Sequence, residues 1–295
     1  MSGFKSGYVN IIGYPNAGKS TLLNKIIGEK LSITSPKIQT TRQRILGIIS
    51  SYNYQMIFSD TPGILKPEYE LQRFMLAEID EAIEDADVFL YIVDVADTLD
   101  KHADWIDKIK KTNYPCFLII NKIDLSNEGE LKQKINEWKT VFSDDRIYPV
   151  SALYFKDLSE LIIKISEILP VHEPYFPLDD LTDKTERFVA AEKIREQCFS
   201  LYKQEIPYAI EVEITSFKDE ENLLRIHADI IISRKSQKHI VIGKSGLKLK
   251  ALGTAARKEL EDFFGKHIYL ELYVRVKEDW QNKKTTLKQL GYRIS

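Results

Sequence analysis

Apolar and polar positions along the first part of the chain follow two periods in turn. Continuous apolar runs begin at Tyr8 ("YVNIIG"), Gln55 ("QMIFSD"), Asp87 ("DVFLYIVDV"), Cys116 ("CFLIIN") and Arg146 ("RIYPVS"). Between them lie segments whose apolar residues recur every three or four positions: "KSTLLNKIIG", "FMLAEIDEAIEDA", "KHADWIDKIKK", "EGELKQKINEWKTVF" and "DLSELIIKISEIL". Runs that are apolar throughout fit strands covered on both faces, and the helices between them supply the crossovers that parallel strands need. The pattern predicts a doubly wound α/β domain over residues 1–169.

Both periods break at Leu169 to Asp183, "LPVHEPYFPLDDLTD", where three prolines and four acids favour a linker over residues 170–183. The order of elements then changes. "ERFVAAEKIREQCFSLYK" has helical spacing, "YAIEVEITSF" and "NLLRIHADIIIS" alternate as strands, "KSQKHIVIG" and "SGLKLKALGTAARKELEDFFG" are helical, and "HIYLELYVRV" is a strand. This α-β-β-α-α-β order predicts a small open α+β domain over residues 184–295, with no internal repeat.

Composition narrows the class. A chain of 295 residues can bury two separate cores, and 43% hydrophobic with 29% charged residues is a soluble globular balance. The start lacks the regions of a signal peptide, and no apolar stretch approaches the roughly 18 residues of a membrane span. Cys116 and Cys198 lie far apart and the five histidines are scattered, so neither a disulfide framework nor a metal cluster is expected. A reducing cytoplasm is the expected location, with a monomer as the default state.

Charge separates the two halves. Residues 1–180 carry 20 Lys+Arg against 27 Asp+Glu, whereas 181–295 carry 22 against 17. Ile230 to Lys258 contains no acid and eight basic residues: Arg234, Lys235, Lys238, Lys244, Lys248, Lys250, Arg257 and Lys258. A solvated helix face mixes both signs, so this stretch suits a polyanion.

The tripeptide Gly-Lys-Ser occurs twice, with different surroundings. "GYPNAGKS", Gly13 to Ser20, follows an apolar strand, opens a helix and fits G-x-x-x-x-G-K-[ST] in full. Such a loop turns backbone N–H groups and a helix N-terminus toward phosphates. Lys19 adds a point charge for the β- and γ-phosphates, and the Ser20 hydroxyl suits Mg²⁺. "DTPG", Asp60 to Gly63, puts a carboxylate near that metal and a glycine N–H where the γ-phosphate ends. In "NKID", Asn121 to Asp124, an aspartate can accept two hydrogen bonds from the guanine N1–H and 2-amino group, a donor pair adenine lacks. "SAL", Ser151 to Leu153, offers backbone N–H groups to guanine O6.

Four motifs in this order, each ending a strand, predict a GTP site. Its candidate residues are Gly13, Tyr14, Pro15, Asn16, Ala17, Gly18, Lys19, Ser20 and Thr21; Asp60, Thr61, Pro62, Gly63 and Ile64; Asn121, Lys122 and Asp124; and Ser151, Ala152 and Leu153. Glu29 to Arg44 is polar, long for such a sheet, and placed where a γ-phosphate-sensing switch belongs. Ser20, Thr41 and Asp60 are the expected metal ligands, with Thr40 second to Thr41. Lys19, Thr41, Asp60 and Gly63 are the expected catalytic set. Where Ras-type enzymes place a water-orienting glutamine, this chain has Ile64, which can neither hydrogen-bond a water nor take its proton. Slow hydrolysis accelerated by a partner is expected, with a nucleotide-gated binding module of negligible turnover as the alternative.

At the second tripeptide the position five before Gly243 is Lys238, and a helix-like run leads in. "VIGKSG", Val241 to Gly246, is instead a G-x-x-G turn between helices, the loop with which a KH domain clamps single-stranded nucleic acid. Ile242, Gly243, Lys244, Ser245, Gly246, Lys248 and Lys250 are the RNA-binding candidates, and Ile240, Val241, Ile242 and Leu247 are either apolar groove walls or core.

"GYPNAGKS", "QTTRQRI", "DTPGI", "NKID", "SAL" and "VIGKSGLKLKALG" together resemble the Era GTPase family of bacteria, over nearly the whole chain. The resemblance implies a P-loop GTPase domain followed by a type II KH domain. It further implies binding near the 3′ end of small-subunit (16S) rRNA, a role in 30S ribosomal subunit assembly, and peripheral contact with the cytoplasmic membrane. Related GTPases carry a hydrophobic residue in place of the glutamine, and some hold K⁺ with the P-loop asparagine, here Asn16. A GTPase acting on another RNA is the alternative at this stage.

Overall fold

Each apolar run of the first part of the chain forms a strand with alternate residues on opposite faces. The computed structural model describes residues 3–154 and 158–292, so the outermost ends of the two expected domains lie outside the described residues. The chain divides into two units, one of Met1–Lys66 and Met75–Asp183, the other of Pro67–Phe74 and Lys184–Ser295.

In the first unit β1 (Lys5–Ile12), β2 (Ile45–Ser50), β3 (Tyr54–Asp60), β4 (Val88–Asp94), β5 (Cys116–Asn121) and β6 (Ile147–Pro149) pair in the order β2-β3-β1-β4-β5-β6. β3, β1, β4, β5 and β6 run parallel. The pattern of parallel crossovers did not include β2, which pairs antiparallel with β3 across a tight connection. Helices α1 (Lys19–Ile27), α2 (Glu70–Glu84), α3 (Ala103–Lys110), α4 (Glu128–Trp138) and α5 (Ser159–Ile168) follow in chain order. One sheet face packs Val9, Ile11, Leu90 and Ile119 against Leu22, Leu161 and Ile165. The other packs Ile12, Phe89, Tyr91 and Leu118 against Ile79, Ile106 and Trp138. Each fully buried Leu or Ile contributes about 2 kcal/mol, so the strand ends that carry the site rest on a firm base.

Residues 170–183, expected as a linker, lie along the first unit. Ser6 N–H donates to Pro170 O (3.1 Å) and His172 N–H to Phe4 O (3.0 Å). The fully buried Gln55 accepts from Tyr175 N–H (2.8 Å) and Phe176 N–H (3.0 Å), and its amide donates to Phe176 O (2.9 Å). Ile48 N–H donates to Leu181 O at 2.9 Å, and Thr182 Oγ1 to Leu46 O at 2.6 Å. The prolines withhold donors, but these amides and carbonyls find partners on β1, β2 and β3, which makes the segment a strap.

In the second unit α6 (Glu186–Leu201) and the short α7 (Ile206–Ala209) precede β7 (Glu211–Asp219) and β8 (Leu223–Ile232). α8 (Lys235–Ile242), α9 (Leu247–Phe264) and β9 (His267–Val276) complete the expected order. β7 pairs antiparallel and β9 parallel with the central β8. Ala190 and Ile194 of α6 and Leu252, Ala256 and Leu260 of α9 cover Ile226, Ala228 and Ile268 on one face of this sheet. The end of the chain adds a turn at Trp280, whose indole N–H donates to Ala209 O (2.9 Å), and α10 (Lys284–Gln289).

Candidate nucleotide site and RNA-binding loop

The four nucleotide motifs sit at the C-terminal ends of β1, β3, β5 and β6, where open α/β sheets bind ligands. Gly13 to Gly18 turn from β1 into α1. Gly18 has φ +103°, and a Cβ there would lie 2.1 Å from Asn121 Nδ2, so no side chain fits. Lys19 is buried and donates to Gly13 O (2.9 Å) and Tyr14 O (3.0 Å) within its own loop. Burial lowers its ammonium to about 8, an effect the nearby Asp60 charge opposes.

Ser20, Thr41 and Asp60 converge from α1, the long loop and β3. Asp60 Oδ2 accepts from Ser20 Oγ (2.6 Å) and Thr41 Oγ1 (3.1 Å), and the two hydroxyls are 3.0 Å apart. The carboxylate is fully buried, which raises its pKa against the opposing pull of Ser20 and Lys19. Its Oδ1 has no hydrogen-bond partner among the described residues. An orphaned carboxylate oxygen beside two hydroxyls is a hard-oxygen donor set that fits Mg²⁺. Thr40 does not join this group; its hydroxyl donates to Lys37 O at 2.7 Å.

Residues 33–41 of the loop, the P-loop, Gly63, Asn121, Lys122, Asp124, Ala152 and Leu153 enclose a cleft of about 600 Å³. Not every expected residue turns its side chain into it. Tyr14 points away and donates to Lys101 O (2.9 Å), and Thr61 donates to Ile11 O (2.8 Å). Ala17, Pro62 and Ile64 are buried, so none of these five turns a side chain into the cleft. Ile64 packs in the core with Ile12, Ile79 and Phe89, and its N–H donates to Gly13 O at 3.2 Å.

Asn121 is held within the protein. Its amide donates to Ala17 O (2.7 Å) and its carbonyl accepts from Ala152 N–H (2.9 Å), bracing the P-loop to the last strand. Asp124, whose carboxylate accepts from Ser151 Oγ, borders the cleft at this end. Lys122, in a left-handed turn at φ +64°, pairs with Asp94 at 2.6 Å while bordering the same end. The sequence reading missed Leu125, which lines the base end, and Asn24. Asn24 Oδ1 accepts from Leu31 N–H and Ser32 N–H, both at 2.9 Å, and so ties down the start of the long loop. A polar residue in the last turns of α1 was the available signal.

In the second unit Gly243 and Gly246 enclose the turn between α8 and α9. Gly243 has φ +73°, and a Cβ there would meet Lys248 Cγ at 2.7 Å. Ser245 also takes a left-handed conformation, at φ +51°, leaving Lys244 and Ser245 exposed at the tip. The four apolar residues left open between groove wall and core divide. Val241 is fully buried in the core and Ile242 packs against it, whereas Ile240 and Leu247 are exposed. A groove of about 430 Å³ instead runs from Gly246 between α9 and β9, with Leu249, Leu270 and Leu272 as walls and Lys250 and Arg257 at the rim.

A family model described as 50S ribosome-binding GTPase matches residues 8–122, and a KH domain model matches residues 205–281. The chain is 41% identical to the GTPase Era of Clostridium kluyveri over 98% of its own length and 99% of that protein. It is 44% identical to the GTPase Era of Geobacter metallireducens over 98% of each. The chain belongs to the Era GTPase family. Among solved structures, an Era in complex with MgGDPNP and nucleotides 1506–1542 of 16S ribosomal RNA is 39% identical, with a TM-score of 0.92, covering 99% of this chain and all of that one. A variant of Aquifex aeolicus Era bound to GDP·AlF4⁻ is also 39% identical, with a TM-score of 0.93 and the same coverage. The fold is accordingly that of an Era protein, a P-loop GTPase domain with a mixed sheet followed by a KH domain.

Proposed function

We propose that this Era protein is a GTP-hydrolysing switch that binds the 3′ region of 16S rRNA through its KH domain and assists 30S subunit assembly. The observation that carries the reading is the meeting of Thr41, from the long loop, with Ser20 and Asp60 in a chain whose full length matches Era proteins. The broad GTPase family model is described by the 50S subunit, but it spans only residues 8–122. The full-length match to an Era bound to 16S rRNA includes the KH domain and is the more specific guide.

The P-loop amides and the N-terminus of α1 hold the phosphates of GTP, and Lys19 exchanges its bonds to Gly13 O and Tyr14 O for phosphate oxygens. Ser20, Thr41 and Asp60 would hold Mg²⁺, which when bound neutralises charge on the phosphates. Gly63 offers its N–H at the γ-phosphate end, and Asp124 accepts from guanine N1–H and the 2-amino group. Ile64 is walled into the core, so no side chain at that position meets the attacking water. Hydrolysis is therefore slow until an RNA or ribosome partner completes the site.

Asn16 is exposed on the rim of the cleft and on this reading would hold K⁺ beside the phosphates. Hydrolysis several-fold faster in K⁺ than in Na⁺ is expected, and equal rates remove K⁺ from the reading. On the same reading the protein is a cytoplasmic monomer with peripheral membrane contact. Mass in solution and co-sedimentation with anionic vesicles test these two points.

The central experiment measures GTP hydrolysis with and without an RNA corresponding to nucleotides 1506–1542 of 16S rRNA. Stimulation is expected, and it should be lost when Lys244 and Ser245 are both changed to Asp. Tight RNA binding with no turnover in any salt would favour the nucleotide-gated module instead.

A further inference from the structure

A single glycine, Gly253, interrupts the 18-residue helix α9. Glycine inside a helix is less stable than alanine because it gives up more backbone freedom on folding. Packing does not demand it. A Cβ built at Gly253 meets Leu272 Cδ1 at 3.6 Å, an ordinary contact, and nothing else within 4 Å. Its φ is not positive either, unlike those of Gly243 and Gly246. Alanine would therefore fit the fold and stabilise it.

What the glycine does leave open is the groove between α9 and β9. Gly253 lines that groove two turns along α9 from Gly246, which lines its start, and faces the apolar wall made by Leu270 and Leu272. Lys250 and Arg257 stand one turn before and after it on the same rim, and among the described residues no acid lines the groove. An apolar slot with a cationic rim, continuous with a loop that holds a nucleic-acid backbone, suits an unpaired base with its phosphates turned outward.

We infer that Gly253 sets the depth of this slot and is a specificity-determining residue for RNA: it lets one unpaired base settle against the backbone of α9 on the slot floor, where any side chain would lift it. The inference rests on the groove being the RNA site of the proposed function. Leu272 Cδ1 already comes within van der Waals reach of Gly253, so the base rests across bare helix and Leu272 as one floor, with Leu270 beside it. Leu249 and the stem of Lys250 close the slot toward the G-x-x-G loop.

The test pairs G253A and G253L with stability and RNA affinity measured on the full-length protein. The RNA is the oligonucleotide of nucleotides 1506–1542, intact and in a series carrying one abasic site at a time. G253A should raise the Tm of the KH domain by about 2–4 °C while weakening RNA binding about tenfold, the loss of one stacked base. G253L should weaken it further. At one position of the series, removing the base should erase the difference between wild type and G253A, and the dependence on salt should stay the same.

Unchanged affinity in both variants overturns the inference, as does a loss of affinity that tracks a fall in Tm. A loss that no abasic position erases overturns it too, because the defect would then lie in the backbone clamp. K244D separates this from the underlying reading. If K244D binds RNA as wild type does, the groove is not the RNA site and both fail; if K244D loses affinity and G253A does not, only the role of Gly253 fails.

Discussion

Thr40 and Thr41 are adjacent, yet only one hydroxyl reaches the phosphate end of the cleft. Thr41 bonds Ser20 and Asp60, while Thr40 bonds Lys37 O within the loop. T41A should lower kcat for GTP at least tenfold and raise the Mg²⁺ concentration needed for half-maximal rate, whereas T40A should stay within about twofold; equal effects in steady-state assays would remove Thr41 from the metal site. Lys19 gives a second expectation, this one dependent on pH. Its pKa is about 8 when buried against 10.5 in solution, so burying its charge costs stability below pH 8, and that cost is shed between pH 8 and 10.5. Phosphates restore the charged form, so nucleotide binding near pH 8 to 9 should take up a proton. GDP affinity should then fall as pH rises above 8, by up to about tenfold per unit. Calorimetry in two buffers of different ionisation heat reads the uptake directly, and its absence from both would show that Lys19 is already charged. The motif residues were legible because each lies within a few positions of a strand end. Asn121 was legible as part of a motif but not in its task, because its partner Ala17 is 104 residues away and nothing in "NKID" encodes that contact.

The elements followed from periodicity where a run was long and uniform. β2 was harder to place, because "ILGIIS" follows a polar loop and pairs antiparallel, outside the rhythm of strand and crossover. The contacts of the strap were not legible for a physical reason: prolines and acids signal a lack of regular structure, not a lack of contacts. Its tie is Gln55, a buried amide whose partners lie about 120 residues later. Q55A leaves the N–H groups of Tyr175 and Phe176 without their acceptor and should cost about 2–3 kcal/mol in denaturant unfolding. Hydrogen exchange at those two amides should rise well above that of β3; unchanged protection would mean the strap is held elsewhere. Groove wall and core could not be told apart in sequence for a similar reason. Val241 and Ile242 precede the G-x-x-G loop in sequence, but α8 turns them toward the core, and Leu270 and Leu272 come from a strand after the next helix.

At the scale of the whole molecule, the contrast between an acidic first half and a basic second half was visible in composition alone, and the structure gives the basic stretch a shape along α8 and α9. If RNA binding is carried there, K250A should weaken affinity similarly for every sequence and reduce the slope of log K against log salt by about 1. A change confined to one RNA sequence would instead make Lys250 a reader of bases. The strap has a further consequence at this scale. β2 is the last strand of the six-stranded sheet, and an uncovered last strand presents free N–H and C=O groups that recruit strands from other molecules. Ile48 N–H and Leu46 C=O, which would otherwise face outward, are already engaged by Leu181 and Thr182. A GTPase domain cut off before residue 170 would keep every nucleotide motif and lose that cover, so it would be competent to bind GTP and prone to aggregate through β2.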